Sequence, residues 1–195
     1  REVPGAVRRV ATEGTRFLAA VVGPDGRIPL LNDSVYGEAL PADACRRYAE
    51  AVGVDPDVVA GRESDPAALE PSGLYWLGSD DDRLLFDGGS VGPPHLPAHS
   101  HDDLLAVSLW ADGRPVLTDS GTKSYVAGPA RQYARSVAAH NTVQYGDVEP
   151  IPVGGSFLMG RRVTPTVQAG GAEGVDWVEG TYRREGDAGE GYRHR

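Results

Sequence analysis

Leu104-Leu105-Ala106-Val107-Ser108-Leu109-Trp110-Ala111-Asp112-Gly113-Arg114-Pro115-Val116-Leu117-Thr118-Asp119 is the stretch whose reading decides the fold class. Two apolar-rich runs flank Ala111-Asp112-Gly113-Arg114, and Asp-Gly supplies the turn geometry that a tight hairpin needs. The segment predicts two antiparallel strands, 104–110 and 115–118. Leu74-Tyr75-Trp76-Leu77 and Leu84-Leu85-Phe86, separated by Gly78-Ser79-Asp80-Asp81-Asp82, predict a second hairpin whose acidic loop is solvated. Further strands fit 140–145, 162–168 and 175–182. Upstream the texture differs. Val7, Val10, Ala11, Phe17, Leu18 and Val21 recur at helical spacing until Gly23-Pro24-Asp25-Gly26, and a second helix fits 41–52, with Pro41 early and Gly53 just past its end. The two patterns are interrupted between residues 63 and 72, at Glu63-Ser64-Asp65-Pro66 and Glu70-Pro71-Ser72-Gly73. The expected organisation is a helical tail over 1–66 followed by a mainly β domain over 67–195.

The chain has 195 residues, enough for one full domain and part of another. It begins at Arg1 and stops in Gly191-Tyr192-Arg193-His194-Arg195, and it reads as a piece of a larger protein in which essential groups lie elsewhere. Its 28 acidic and 19 basic residues give a formal charge of −9, which argues against a nucleic-acid backbone as partner, because that affinity needs clustered cations. Cys45 is the single cysteine, so neither an internal disulfide framework nor a cysteine-based zinc site is available. No apolar run reaches the roughly 18 residues of a membrane span, and no targeting segment is visible. Oligomeric state is not legible.

Chemistry concentrates in Pro97-Ala98-His99-Ser100-His101-Asp102-Asp103-Leu104, which holds two of the five histidines. In an extended segment His99 and His101 point to one face, where they share a centre or divide metal and substrate between them. Asp119 ends the hairpin that Leu104 begins, so the antiparallel return brings it back toward His101. His140, in Ala138-Ala139-His140-Asn141-Thr142-Val143, approaches the same end of the sheet. Two neutral imidazoles and a carboxylate suit zinc. The competing reading makes each histidine a hydrogen-bonded loop residue, and it is preferred for His95. Asp103 either orients an imidazole or caps the turn.

Three blocks then resemble a known family. His99-Ser100-His101-Asp102-Asp103-Leu104, Gly113-Arg114-Pro115-Val116-Leu117-Thr118-Asp119-Ser120-Gly121-Thr122-Lys123-Ser124-Tyr125 and Arg135-Ser136-Val137-Ala138-Ala139-His140-Asn141-Thr142-Val143 stand in the order seen in the C-terminal domain of heparinase II/III-like polysaccharide lyases. Ile28-Pro29-Leu30-Leu31-Asn32-Asp33 resembles the end of that family's helical toroid, and Phe157-Leu158-Met159-Gly160-Arg161-Arg162 its downstream strand.

The resemblance implies an antiparallel β-sandwich preceded by the α-helical tail of an (α/α) toroid. It implies β-elimination on uronic-acid-containing acidic polysaccharides, glycosaminoglycan or alginate among them, with periplasmic or secreted localisation. His99 matches the substrate-facing histidine, and Tyr125 falls where some relatives direct a tyrosine toward the sugar; a packed strand aromatic is the competing reading. His101, Asp119 and His140 match the ligands of a structural zinc held by some relatives. Relatives also draw catalytic groups from the helical domain, so the chain alone is expected to be inactive or nearly so. Arg131 and Arg135 are candidates for an anion-binding patch, with surface salt bridging as the alternative.

Two other functions compete. A non-catalytic, zinc-stabilised carbohydrate-binding or structural β domain needs no base. A metallo-β-lactamase-like hydrolase shares His-x-His-x-Asp, but there a further histidine follows the aspartate directly, where this chain has Asp103 and then Leu104, and it requires strand–helix alternation that is missing here.

Overall fold

The computed structural model describes residues 3–61, 66–79, 81–92, 95–172, 175–183 and 191–194. Helix α1 (Gly5–Val21) is followed by α2 (Ala42–Ala51) and α3 (Pro56–Val59). Asp55 caps α3 by accepting the Asp57 N–H at 2.8 Å, and Pro56 at the first helical position fits the missing donor there. A small apolar cluster of Ala49, Val54 and Val58, with Ala11 against it, holds the three helices together.

A 3-10 segment (Pro66–Ser72) leads into β1 (Leu74–Ser79), β2 (Asp82–Asp87), β3 (Val107–Ala111) and β4 (Arg114–Leu117), an antiparallel sheet in that order. Asp112 and Gly113 both take positive φ, 50° and 69°, which turns β3 into β4. Short pieces follow: α4 (Pro129–Arg135), a 3-10 turn (Val137–Ala139), and the two-residue strands β5 (Val153–Gly154) and β6 (Leu158–Met159). β5 and β6 pair as a small antiparallel hairpin, and a second large antiparallel sheet, β7 (Thr166–Ala172), β8 (Val175–Arg183) and β9 (Gly191–His194), follows it.

Strand periodicity divides the apolar residues between two cores. Tyr75, Leu77, Leu84 and Phe86 join Leu104, Leu105, Ile151, Val178 and Tyr182 between the two sheets. The alternate residues Leu74, Trp76 and Leu85, with Trp110, pack instead on Ala20 and Val21 of α1. Trp76 Nε1–H also donates to Ala20 C=O at 2.9 Å, so the helical part and the first sheet share a core and a hydrogen bond. Gly180 lets the sheets approach: a Cβ there would collide with Leu105 and lie 2.9 Å from the Phe86 ring.

Several local expectations are corrected. Residues 104–106 form a turn, not the start of a strand: Ala106 N–H donates to Asp103 C=O at 3.1 Å and Leu105 adopts φ 58° to bury its side chain between the sheets. Residues 140–145 form no strand. Val107 N–H takes Asn141 C=O and the Thr142 hydroxyl takes Leu104 C=O, but Val143 and Tyr145 are exposed, so no apolar face drives a ladder. The strand expected over 162–168 begins at Thr166. "Mainly β" describes the part from residue 74 onward; with α1, α2 and α3 before it, the described chain is mixed. Residues 62–65, where the first boundary signal was read, lie outside the described residues, as does Asp80 of the acidic loop.

Candidate active site

The site is built around a residue from the helical part. After α1 the chain turns through Gly23–Gly26 into a loop in which the Ser34 hydroxyl accepts the Leu31 N–H at 2.7 Å and Asn32 takes φ 52°. Asparagine tolerates that left-handed conformation, and its Oδ1 accepts the His101 backbone N–H at 2.9 Å. Gly121 admits this loop closely: its φ is 56°, a side chain there would strike Ser34 C=O, and the Thr122 N–H donates to the same carbonyl at 3.1 Å. The loop is thereby pinned to the end of the first sheet.

The buried Asp33 carboxylate gathers three side chains. It accepts from His99 Nδ1 at 3.0 Å, from His101 Nε2 at 2.7 Å, and from both terminal nitrogens of Arg131, Nη2 at 2.8 Å and Nη1 through a shorter contact. Burial acts to raise its pKa, but the Arg131, His101 and His99 hydrogen bonds together hold it below the ordinary value. The carboxylate is therefore ionised and only accepts, which places the shared proton on His99 Nδ1 and on His101 Nε2. A neutral His99 then keeps its Nε2 lone pair on the side away from Asp33.

His101 is fully buried, and burial lowers its pKa to about 4 despite the Asp33 hydrogen bond. It is neutral at pH 7, with an unpartnered Nδ1. Its ring centroid lies 5.2 Å from that of His140. His140 Nδ1 meets Asp119 Oδ2 at 2.5 Å, and its Nε2 is buried and unpartnered. Burial opposes the His140 charge, yet the Asp119 hydrogen bond and the charges of Asp119, Asp103 and Asp102 together raise its pKa. Asp119 Oδ1 accepts the Gly121 N–H at 2.7 Å.

The zinc implied by the family resemblance can be tested on these atoms. His101 and His140 each pair one ring nitrogen with a carboxylate and leave the other buried without a partner, the arrangement by which outer carboxylates orient metal-binding imidazoles. The donor types suit zinc. Among the described residues, however, no three His, Cys, Asp or Glu side chains converge as a metal-binding group in the present arrangement. Asp119 is here the hydrogen-bond partner of His140.

Beside this centre lie buried carboxyls. Burial pushes Asp103 up to about 7, with the charge of Asp87 adding to it, and Asp87 up to about 6. Burial likewise lifts Asp102 to about 8, against the lowering pull of the Ile151 N–H that its Oδ2 accepts at 2.9 Å. A raised carboxyl holds its proton in the folded state and loses it on unfolding, so its stabilisation is greatest at low pH and disappears as pH rises through the folded value. His140, also raised, has the same sign. His101 is opposite: its contribution is full above 6.5 and is lost only as pH falls toward about 4. The metal-free chain is therefore expected to lose stability between pH 6.5 and about 8, as Asp103 and Asp102 deprotonate. Urea midpoints measured with chelator across that range check this; Asp103→Asn flattens the slope, and a midpoint that rises with pH contradicts it.

The outer edge of the site is open. His99 ends the 3-10 turn Pro97–His99 with 53% of its side chain exposed. Tyr125 is 44% exposed, with its ring centroid 5.6 Å from that of His99, so it is not a packed strand aromatic. Phe157, between β5 and β6, is 46% exposed and lies 6.1 Å from His99 and 6.0 Å from Tyr125.

The structure thus groups His99 with Tyr125 at the surface, and His101, His140 and Asp119 beneath. His95 is exposed in its loop. Of the two roles considered for Asp103, its carbonyl closes the 103–106 turn by accepting the Ala106 N–H at 3.1 Å, while its carboxyl bears on His140 electrostatically without orienting the ring by a hydrogen bond. The anion-patch expectation for Arg131 and Arg135 is corrected, because they are 1% and 0% exposed. Arg135 Nε donates to Ser100 C=O at 3.1 Å and Nη1 to Leu158 C=O at 3.0 Å; Arg131 Nε donates to Ser156 C=O at 3.0 Å. Both are internal braces. Asp33 and Phe157 were missed as site residues.

The described chain thus pairs two large antiparallel sheets with an imidazole–carboxylate centre at one end and an exposed histidine and tyrosine at its rim. The chain belongs to the heparinase II/III-like family: the profile of its C-terminal domain (Heparinase II/III-like, C-terminal) matches residues 61–195. The family is one of polysaccharide lyases. No curated protein matches the chain.

Proposed function

We propose that the chain forms the C-terminal part of a polysaccharide lyase that cleaves uronic-acid-containing acidic polysaccharides by β-elimination. The observation that carries this reading is His99, half exposed, tethered through Nδ1 to the ionised Asp33 and flanked by the exposed Tyr125. In the elimination a base takes the proton on carbon 5 of the uronic acid, the bond from carbon 4 to the bridging oxygen breaks, and a proton is returned to that oxygen. The products are an unsaturated sugar and a new hydroxyl end. The carbon acid is weak, so the substrate carboxylate needs hydrogen-bond donors and the base must be held against it.

His99 suits the base: its Nδ1–H stays on Asp33 while Nε2 receives the proton, and the nearby carboxylate stabilises the imidazolium that forms. Tyr125, beside it, supplies a phenol for the departing oxygen or the carboxylate. Further donors are assigned to an (α/α) toroid of which residues 1–66 form the end, with the β domain over 67–195. The exposed apolar residues of α1, Val7, Val10 and Phe17, support a neighbouring helical layer. We accordingly place the activity in the protein that carries the helical domain, with little or none in the 195 residues alone. Ultraviolet detection of unsaturated product tests this: product from the full protein supports it, and turnover by the isolated chain refutes the division of the site.

A structural zinc is part of the proposal, with His101, Asp119 and His140 as its holders. When bound, zinc would cross-link the segments around 101, 119 and 140 and offset the negative charge of the neighbouring carboxyls. Elemental analysis is expected to find about one zinc per chain, falling in His101→Ala, Asp119→Ala and His140→Ala, and chelation is expected to lower the melting temperature. Unchanged metal content in all three variants contradicts the assignment and leaves a hydrogen-bonded network. The buried side chains of His101, Asp33 and Arg131 serve the architecture whether or not a reaction occurs, which favours a second reading, a zinc-stabilised carbohydrate-binding domain. Binding without turnover in the full protein would select it. The hydrolase alternative gains no support, since the motif leads into the antiparallel hairpin β3–β4. The family resemblance supports placement in the periplasm or outside the cell, and among the described residues no helix is long and apolar enough to cross a membrane.

A further inference from the structure

Resting on the lyase reading above, we propose that Phe157 and Tyr125 form a stacking surface for a pyranose ring of the acidic polysaccharide, adjacent to the ring that meets His99. The two side chains present apolar faces to solvent beside the one exposed imidazole of the site, with the three ring centroids 5.6 to 6.1 Å apart. Sugar rings have C–H faces that rest on aromatic rings, and exposed aromatics that are held rigidly provide contact area at little entropic cost.

Phe157 is held in this way. It follows Gly155, at φ 55°, and Ser156 in the turn of the β5–β6 hairpin. That hairpin is anchored from below by two buried guanidiniums, Arg131 to Ser156 C=O and Arg135 to Leu158 C=O. The Gly160 N–H to Pro152 C=O bond, at 2.7 Å, closes its base. Arg131 also lies beneath both rings, its guanidinium carbon 5.2 Å from the Tyr125 centroid and 5.8 Å from that of Phe157. The cation that fixes Asp33, and through it His99, thus also fixes the aromatic surface. A phenylalanine 46% exposed on such a brace forgoes much of the stabilisation that burial would give it, and its placement beside His99 is explained by contact with the sugar chain.

In the full protein, Phe157→Ala is expected to raise KM for alginate or heparan sulfate oligosaccharides about 3- to 10-fold, with kcat and melting temperature nearly unchanged. Phe157→Trp restores KM, and Tyr48→Ala, an exposed aromatic on α2, changes neither parameter. An unchanged KM in Phe157→Ala, or a rise accompanied by a lower melting temperature, overturns the proposal. The emission of Phe157→Trp, compared with that of the parent chain and its Trp76, Trp110 and Trp177, separates this inference from the lyase reading. Quenching by either oligosaccharide in a protein that shows no elimination keeps the stacking surface and removes the lyase. Loss of elimination in His99→Ala, with no quenching at position 157, keeps the lyase and removes the surface.

Discussion

Asp33→Ala is expected to destabilise the folded chain by about 3–5 kcal/mol, the usual consequence of leaving a buried charge without its partner. Arg131 is 1% exposed, and its other side-chain and backbone partners, Thr122 and Ser156, are neutral. Removing Asp33 also takes the acceptor from His101 Nε2, adding a second buried polar atom without a partner. Asp33→Asn, which keeps the shape and loses the charge, falls between the two, and truncating both Asp33 and Arg131 costs less than the sum of the single changes. Chemical denaturation of the parent and the four variants measures this. A change within about 0.5 kcal/mol for Asp33→Ala, the range of an ordinary surface substitution, would contradict the buried-clamp account.

The second large effect concerns turnover. In a protein that carries the proposed helical domain, His99→Ala is expected to lower kcat by about 100- to 10,000-fold, the contribution of a positioned proton-transfer group. KM changes little by comparison, and so does stability, because the His99 side chain is 53% exposed and Asp33 keeps its Arg131 and His101 partners. Steady-state rates on an acidic polysaccharide, read beside a melting curve, separate this from a folding defect. A variant that retains full kcat shows that the base lies elsewhere.

Local chemistry made much of the frame legible. Asp112-Gly113 announced the β3–β4 hairpin, and the helical spacing over 4–22 matches α1, because both signals act within a few residues. The strand misreadings have a common cause: Leu104–Ala106 and His140–Tyr145 carry strand-like composition, but Leu105 turns into the inter-sheet core and Val143 stays exposed. Asp33 was not legible as a site residue, since nothing near it in the chain announces two histidines 66 and 68 positions away. Arg131 and Arg135 were read as surface cations because arginine usually is one; only tertiary packing shows that they brace the hairpin beneath Phe157. The spacing of His99 and His101 indicated a shared face, and in the fold both imidazoles reach the same carboxylate.

These residues divide the site into two depths. The buried layer of Asp33, His101, Arg131, His140 and Asp119 sets geometry, and the exposed layer of His99, Tyr125 and Phe157 is what a sugar chain can reach. The most direct test of elimination at that exposed layer is mass spectrometry of the products released from a defined alginate or heparan sulfate oligosaccharide by the full protein. Elimination predicts fragments whose masses sum to that of the substrate, one of them absorbing in the ultraviolet, and their loss in His99→Ala. Fragments whose masses sum to the substrate plus one water would show hydrolysis and contradict the account.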